Sequence, residues 1–260
     1  MFKILQYSFF DLVRSRWSYV YFSFYLMLGF VLFFLNNDTT KAVITLLNII
    51  IVLTPLIGTV FGVMYFYNSR EFTELLLAQP IRRRDIFLGQ YLGLSLSLAL
   101  SLIMGLGVPF IVYGIFGSSA IWDFATLLMI GGFLTFIFVA LAFGIALTFN
   151  DKIKGFGVSI IMWLLLAVVY DGMFLLLMVY FNDYPLDKFA LGMTMFNPID
   201  LSRILILLKL DISALLGYTG AVFRKFFGTG LGMAISLGVL SLWVIVPAGL
   251  MIRKTLKKDF

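Results

Sequence analysis

Neither cysteine nor histidine occurs among the 260 residues. Their absence removes disulfides, thiol chemistry, Cys/His zinc sites, haem attachment and every Ser-His or Cys-His nucleophile pair. Charge is scarce too. Only 12% of the residues are Asp, Glu, Lys or Arg, against roughly 25% in soluble domains. No Walker A phosphate loop, G-x-S-x-G elbow or H-E-x-x-H is written in the chain, so any ATP it depends on is hydrolysed elsewhere. Metal ligation is left to carboxylates and to the twelve Met, none of them spaced as a dedicated site. Met193 and Met195, with Met162, Met173 and Met178, have the softness that suits Cu(I). Without His or Cys beside them they read first as core filler. No cleavable signal peptide is expected, because Lys3, Asp11, Arg14 and Arg16 interrupt the start.

What is abundant is apolar surface, at 62% of the residues. Six runs reach the ~20 residues that a spanning helix needs: Trp17–Leu35, Val43–Tyr67, Ile86–Phe116, Phe124–Phe149, Phe156–Phe181 and Thr229–Ile252. The expected fold is all-α, one membrane domain over 1–260. Loop charge sets its orientation. With both termini on one side, that face holds 13 of the 19 basic residues and a net +7, and the other face a net 0. The first face is therefore expected in the cytoplasm. The overall charge of +6 is explained by topology, without nucleic acid.

Two further helices are expected on the basic side. Over 2–14, Phe2, Leu5, Phe9, Leu12 and Val13 recur at helical spacing, with Phe10 breaking the polar face; this suits an interfacial helix over about 1–16. In 68–85, Asn68 and Glu71 have the form of a capping box, and Glu74 also suits the positive helix N-terminus. Phe72, Leu75 and Leu76 form a short stripe, Arg70 joins the polar side, and Pro80 closes the element before Arg82, Arg83 and Arg84. On the other side, 182–228 is too long for a hairpin and too polar for one span. Asn197 before Pro198, with Asp200, marks a helix start leading through Arg203 to Lys209. Asp211 marks a second helix running to Phe227 and closed by Gly228. Two interfacial helices and a re-entrant pair both fit this segment.

Inside the spans, Gly58 and Gly62, Gly89 and Gly93, and Gly228 and Gly232 allow close helix approach, within one chain or between two. Pro55, Pro109 and Pro247 permit kinks. Asp171 is the one acid inside a span. With Tyr170 and Met173 beside it, it is a candidate for a translocation pathway or proton relay, or for a hydrogen bond to a neighbouring helix.

The layout resembles the permease subunits of ABC-2-type transporters. Residues 68–93, from Asn-Ser-Arg-Glu-Phe-Thr-Glu through Gly-Gln-Tyr-Leu-Gly, and 197–228, from Asn-Pro-Ile-Asp-Leu-Ser-Arg through Arg-Lys-Phe-Phe-Gly, are similar to the nitrous oxide reductase maturation permeases, the NosY family. That resemblance implies that 69–80 is a coupling helix docking on a separate cytoplasmic ATPase dimer, which holds the ATP and Mg. It further implies a second copy of the chain, a central cavity, and a periplasmic β-helical partner near Asn197, Asp200 and Arg203. The exported species would be a component, sulfur-bearing, for a copper–sulfur centre. Competing readings are an ABC-2 exporter of lipid, antibiotic or peptide, and an ion-coupled transporter. Against the latter stand the single buried acid and the lack of an inverted repeat with broken helices. An intramembrane enzyme would need paired acids, which the spans do not show.

Overall fold

A computed structural model describes residues 2–35, 39–117, 120–181, 187–209 and 229–257. Among them every regular element is helical. In chain order these are α1 (Phe2–Val13), α2 (Arg16–Leu35), α3 (Thr39–Asn68), α4 (Arg70–Leu77), α5 (Arg83–Val112), α6 (Ile121–Ala146), α7 (Lys152–Leu164), α8 (Tyr170–Tyr180), α9 (Asp187–Met195), α10 (Pro198–Lys209) and α11 (Gly230–Lys257). Six segments are long and apolar enough to cross a membrane: α2, α3, α5, α6, the continuous α7–α8 run and α11. Each coincides with an expected span to within a few residues, because a run without charge has few alternatives to a helix in lipid.

Hydrogen bonds fix which ends lie together. Lys152 Nζ donates to Asn68 Oδ1 at 3.0 Å, joining the end of α3 to the start of α7. Lys254 Nζ donates to Gly144 O at 3.2 Å and Thr148 Oγ1 at 2.7 Å, joining the end of α11 to the end of α6. α1, α4 and the run Arg82–Arg84 share this basic end. At the opposite end Phe33 stacks on Tyr113 and Phe110 on Phe124, with centroids 4.5 and 4.0 Å apart.

The core is built on close approach at glycines. A Cβ at Gly62 would stand 2.7 Å from Ala142 Cβ on α6, and Gly58 faces Phe138. Gly105 meets Tyr25 of α2, and the ring of Pro109 fills the space above Gly29. A Cβ at Gly93 would stand 2.7 Å from Ser8 Cβ, and one at Gly89 would stand 2.9 Å from Ile4. Both small-residue pairs are thus used for packing within the chain. The α1 face follows from this: Ile4, Ser8 and Leu12 are buried, while Val13 and Phe10 are exposed. Of the expected stripe Leu12 is buried, Leu5 and Phe9 are half-buried and Val13 is exposed; the buried face is centred on Ile4, Ser8 and Leu12, because a small Ser8 lets the backbone reach Gly93.

Two departures concern the later spans. The fifth span, expected as one regular helix, contains a π-helical turn over Leu165–Val169 between α7 and α8. It also buries almost nothing of itself, Gly155 and Ser159 being its buried residues. The segment before the last span is a helical pair, α9 and α10, bent by 112°. Its break contacts the middle of two spans: Asn197 Nδ2 donates to Leu166 O at 2.8 Å and Trp243 Nε1 to Met195 O at 3.1 Å. Leu166 lies midway along Lys152–Tyr180, and Trp243 midway along Gly230–Lys257. From this depth α10 runs back to the opposite end, where Lys209 comes within electrostatic reach of Asp123 at the start of α6. The bend makes α9 and α10 a broken pair and not one straight helix. The helix expected from Asp211 to Phe227, with Gly228, lies outside the described residues.

Candidate functional site

The sequence singles out α4, and the fold holds it from behind. Thr73 is buried, accepts from Gln90 Nε2 at 2.8 Å, and donates to Ser69 O. Phe72 stacks on Tyr7 of α1 with centroids 4.9 Å apart. Phe72 and Leu76 are half-buried, while Asn68, Arg70, Glu71, Glu74 and Leu75 are exposed. Leu75 is 68% exposed, a large cost in water for an apolar side chain with nothing to cover it. Arg70 and Glu74 pair along the same face at 2.9 Å.

The expected capping box does not form. Asn68 is the last residue of α3, and Ser69 before α4 makes no side-chain cap. The reason is that α3 and α4 are separated by one residue. Ser69 N donates to Tyr65 O and Thr73 N to Ser69 O, both at 2.9 Å, so Ser69 belongs to the hydrogen-bond ladders of both helices and the chain passes from α3 into α4 with hardly a break. Asn68 instead accepts from Lys152. Beside it Tyr67 Oη donates to Phe149 O at 2.8 Å and Asp151 O at 3.3 Å. A Cβ at Gly155 would overlap that hydroxyl, so the approach requires glycine. The base of α4 is thereby tied to the base of α7. Asp151 caps α7 by accepting from Ile153 N at 2.9 Å.

The second set of candidate residues comes together at mid-depth. Arg203 Nη1 donates to Asp171 Oδ2 at 2.6 Å and to Asp200 Oδ1 at 3.4 Å, so two carboxylates share one guanidinium. Asn197 Nδ2 donates to Asp200 Oδ2 at 3.0 Å as well as to Leu166 O, and Asn197 Oδ1 accepts from Ile199 N, capping α10 as expected. Tyr170 Oη donates to Met193 O. The residues read separately as pathway and as outer contact are therefore one polar hinge between the fifth span and the α9–α10 break. Asn197 and Asp200 are 0% and 8% exposed, their polar atoms engaged within the chain. Met173 takes no part in these hydrogen bonds and is 56% exposed.

Sequence reasoning missed Gln90, Tyr67 and Leu166. Gln90 carried a signal, being a polar residue in an apolar run. Tyr67 and Leu166 carried none, since one acts through a distant carbonyl and the other offers only its own. A π-helical turn leaves a carbonyl short of its usual partner, and such turns recur at functional sites.

A family profile described as ABC-2 family transporter protein matches residues 33–260. The chain is 30% identical over 178 residues to the probable ABC transporter permease protein NosY of Stutzerimonas stutzeri, covering 66% of this chain and 57% of that protein. It is 26% identical over 155 residues to the protein of the same description from Pseudomonas aeruginosa, covering 54% and 53% respectively. The chain thus spans little more than half the length of these relatives. With a profile that takes in nearly every span and both parts of the site, the chain belongs to the ABC-2 family of transporter proteins.

Proposed function

We propose that this chain is the permease subunit of an ATP-driven exporter that serves the copper–sulfur centre of nitrous oxide reductase. The observation that carries the reading is the outer face of α4, where Arg70, Glu71, Glu74 and Leu75 stand exposed on a helix braced from behind by Gln90 and Tyr7. A braced helix with an uncovered leucine between two spans is suited to transmit force from a docked protein. The docked protein is a separate ATPase pair that holds the ATP and Mg. The basic end then faces the cytoplasm, in keeping with its excess of Lys and Arg, and both termini lie there with it.

Movement of α4 travels to the fifth span through the Tyr67 and Asn68 ties. That span carries the π-helical turn and the hinge, so tilting α7 strains the Asn197–Leu166 and Arg203–Asp171 bonds together. A second copy covers the face of α7–α8 that its own chain leaves bare, putting Met173 and the neighbourhood of Asp171 at a shared cavity. An outer, β-helical partner meets the opposite end beside α10, where the partly exposed Arg203 is the contact and Asn197 and Asp200 hold its backbone. Likeness to permeases named NosY supports a sulfur-bearing cargo over lipid, antibiotic or peptide.

The test is affinity purification of the tagged chain from native membranes with mass spectrometry, on wild type and on Glu74→Ala with Leu75→Ala. Loss of an interfacial anchor costs about 2 kcal/mol or more, so ATPase binding should weaken at least about tenfold. Co-purification of an ATPase and a periplasmic β-helical protein is the expected result. An ATPase captured equally by the double variant would remove α4 from the docking surface.

A further inference from the structure

A large cavity between two of the spans plays no part in the mechanism above. It measures about 1120 Å³ and runs between α6 and α11, larger than the ~300–1,000 Å³ of sites for drug-sized ligands. Its walls are apolar along most of their length, and Leu242, Val246 and Leu250 leave its outer edge exposed. Met195, Phe196 and Trp243 form its floor at mid-depth; the Trp243 N–H is already spent on Met195 O. Polar chemistry is confined to the mouth, at the basic end, where Thr148 and Asn150 of the α6 end stand with Arg253, Lys254 and Lys257 of α11. Lys254 bridges to Gly144 O and Thr148. No described carboxylate pairs with Arg253 or Lys257.

A groove that is cationic at one end and apolar at the other selects an amphiphile with an anionic head. From Lys257 to Trp243 is about 21 Å of helix, half of the ~40–45 Å bilayer with its headgroups. The cavity is therefore as deep as one leaflet, and it is open sideways to that leaflet. We propose that it is a binding site for an anionic diacyl phospholipid, with its acyl chains against α6 and α11 and its phosphate between Arg253, Lys254 and Lys257. The tails gain nothing over tails in the bilayer, which is as apolar as leucine. Selection therefore falls to the headgroup, and basic pockets between spans on the cytoplasmic side recruit anionic lipids for this reason. Only the leaflet rests on the orientation proposed above; neither the ATPase nor the cargo enters the argument.

The test uses the full chain in nanodiscs holding spin-labelled phosphatidylglycerol or spin-labelled phosphatidylcholine, reading the motionally restricted fraction. Wild type should prefer the phosphatidylglycerol probe. Arg253→Gln with Lys257→Gln should lose that preference by on the order of tenfold, Lys254 being kept because it ties α11 to α6. Gly144→Phe should displace both probes, since a Cβ there meets nothing within 4 Å and the ring enters the groove without disturbing the fold; equal thermal unfolding confirms this. An unchanged preference in the glutamine variant, or undiminished binding in Gly144→Phe, overturns the proposal. So does disulfide cross-linking between copies through Leu250→Cys, which would mean that a second chain fills the groove. The chain has no cysteine of its own to confuse that result. Labelling Lys257→Cys from one side of the membrane reports the leaflet separately, so a wrong orientation is told apart from a wrong ligand.

Discussion

One missing methyl group decides whether Tyr67 reaches the turn that follows α6. Gly155→Ala should push the phenol off Phe149 O and mimic Tyr67→Phe, each losing about 1 kcal/mol of stability. The pair together should lose little more than either alone, because both break one bond. Thermal unfolding of the three variants checks this, and the transport-to-ATP ratio should fall in all of them. At the hinge two carboxyl groups face one guanidinium, so the partners are not interchangeable. Arg203→Met strands two carboxylates and should cost about 2–3 kcal/mol, the scale of a charged hydrogen bond lost from a part-buried site. Asp171→Asn keeps an acceptor for Arg203 and should cost less while still impairing transport. Melting measurements that rank the two in reverse order would mean that Asp171, and not Arg203, organises the cluster.

At the scale of elements, α1 rests on α5 through Gly93, and Gly93→Leu should lift it. Limited proteolysis should then cut within Phe2–Val13, while the six spans remain protected. How much of this was legible depends on what the sequence has to encode locally. The spans were readable because their apolar length alone fixes them, and α4 because it is a polar helix bounded by Asn68 and Pro80. The face of α1 was read only in part, since Leu12 is buried as expected but Val13 is not. Its burial is set by Gly89 and Gly93, more than 75 residues away, and not by its own apolar stripe. The capping box failed for a similar reason, since only the tertiary path shows α3 and α4 to be nearly continuous. The start of α10 was visible in Asn197-Pro198, yet its depth depends on Leu166 and Trp243, which no local pattern connects to it. Asp171 stood out as a buried acid, but its partner Arg203 lay in a segment read as outer surface.

Across the whole molecule, the distribution of charge and the distribution of contact tell different things. Lys and Arg gather where α1, the end of α11, α4 and the α6–α7 turn meet, and the hydrogen bonds of Lys152 and Lys254 draw that end tight. The opposite end is joined by aromatic stacking and by the α9–α10 pair. On the proposed function, force applied at α4 enters a well-tied base and reaches the fifth span through the Tyr67 and Asn68 ties. Single cysteines placed at Leu75 and at Met173 should report this difference. The first should be shielded from a soluble thiol reagent by the bound ATPase. The second should change its accessibility during turnover.

The seat of the α9–α10 pair also constrains the order in which the protein is made. Neither helix is long enough to cross a bilayer by itself, and Asp200 and Arg203 would resist entry unpaired. The carbonyl that receives Asn197 is supplied by the fifth span, but the indole that receives Met195 belongs to the last one. A nascent chain halted before Trp243 has been inserted therefore holds a polar hairpin with half a socket, and seating of the pair must wait for the final helix to enter the bilayer.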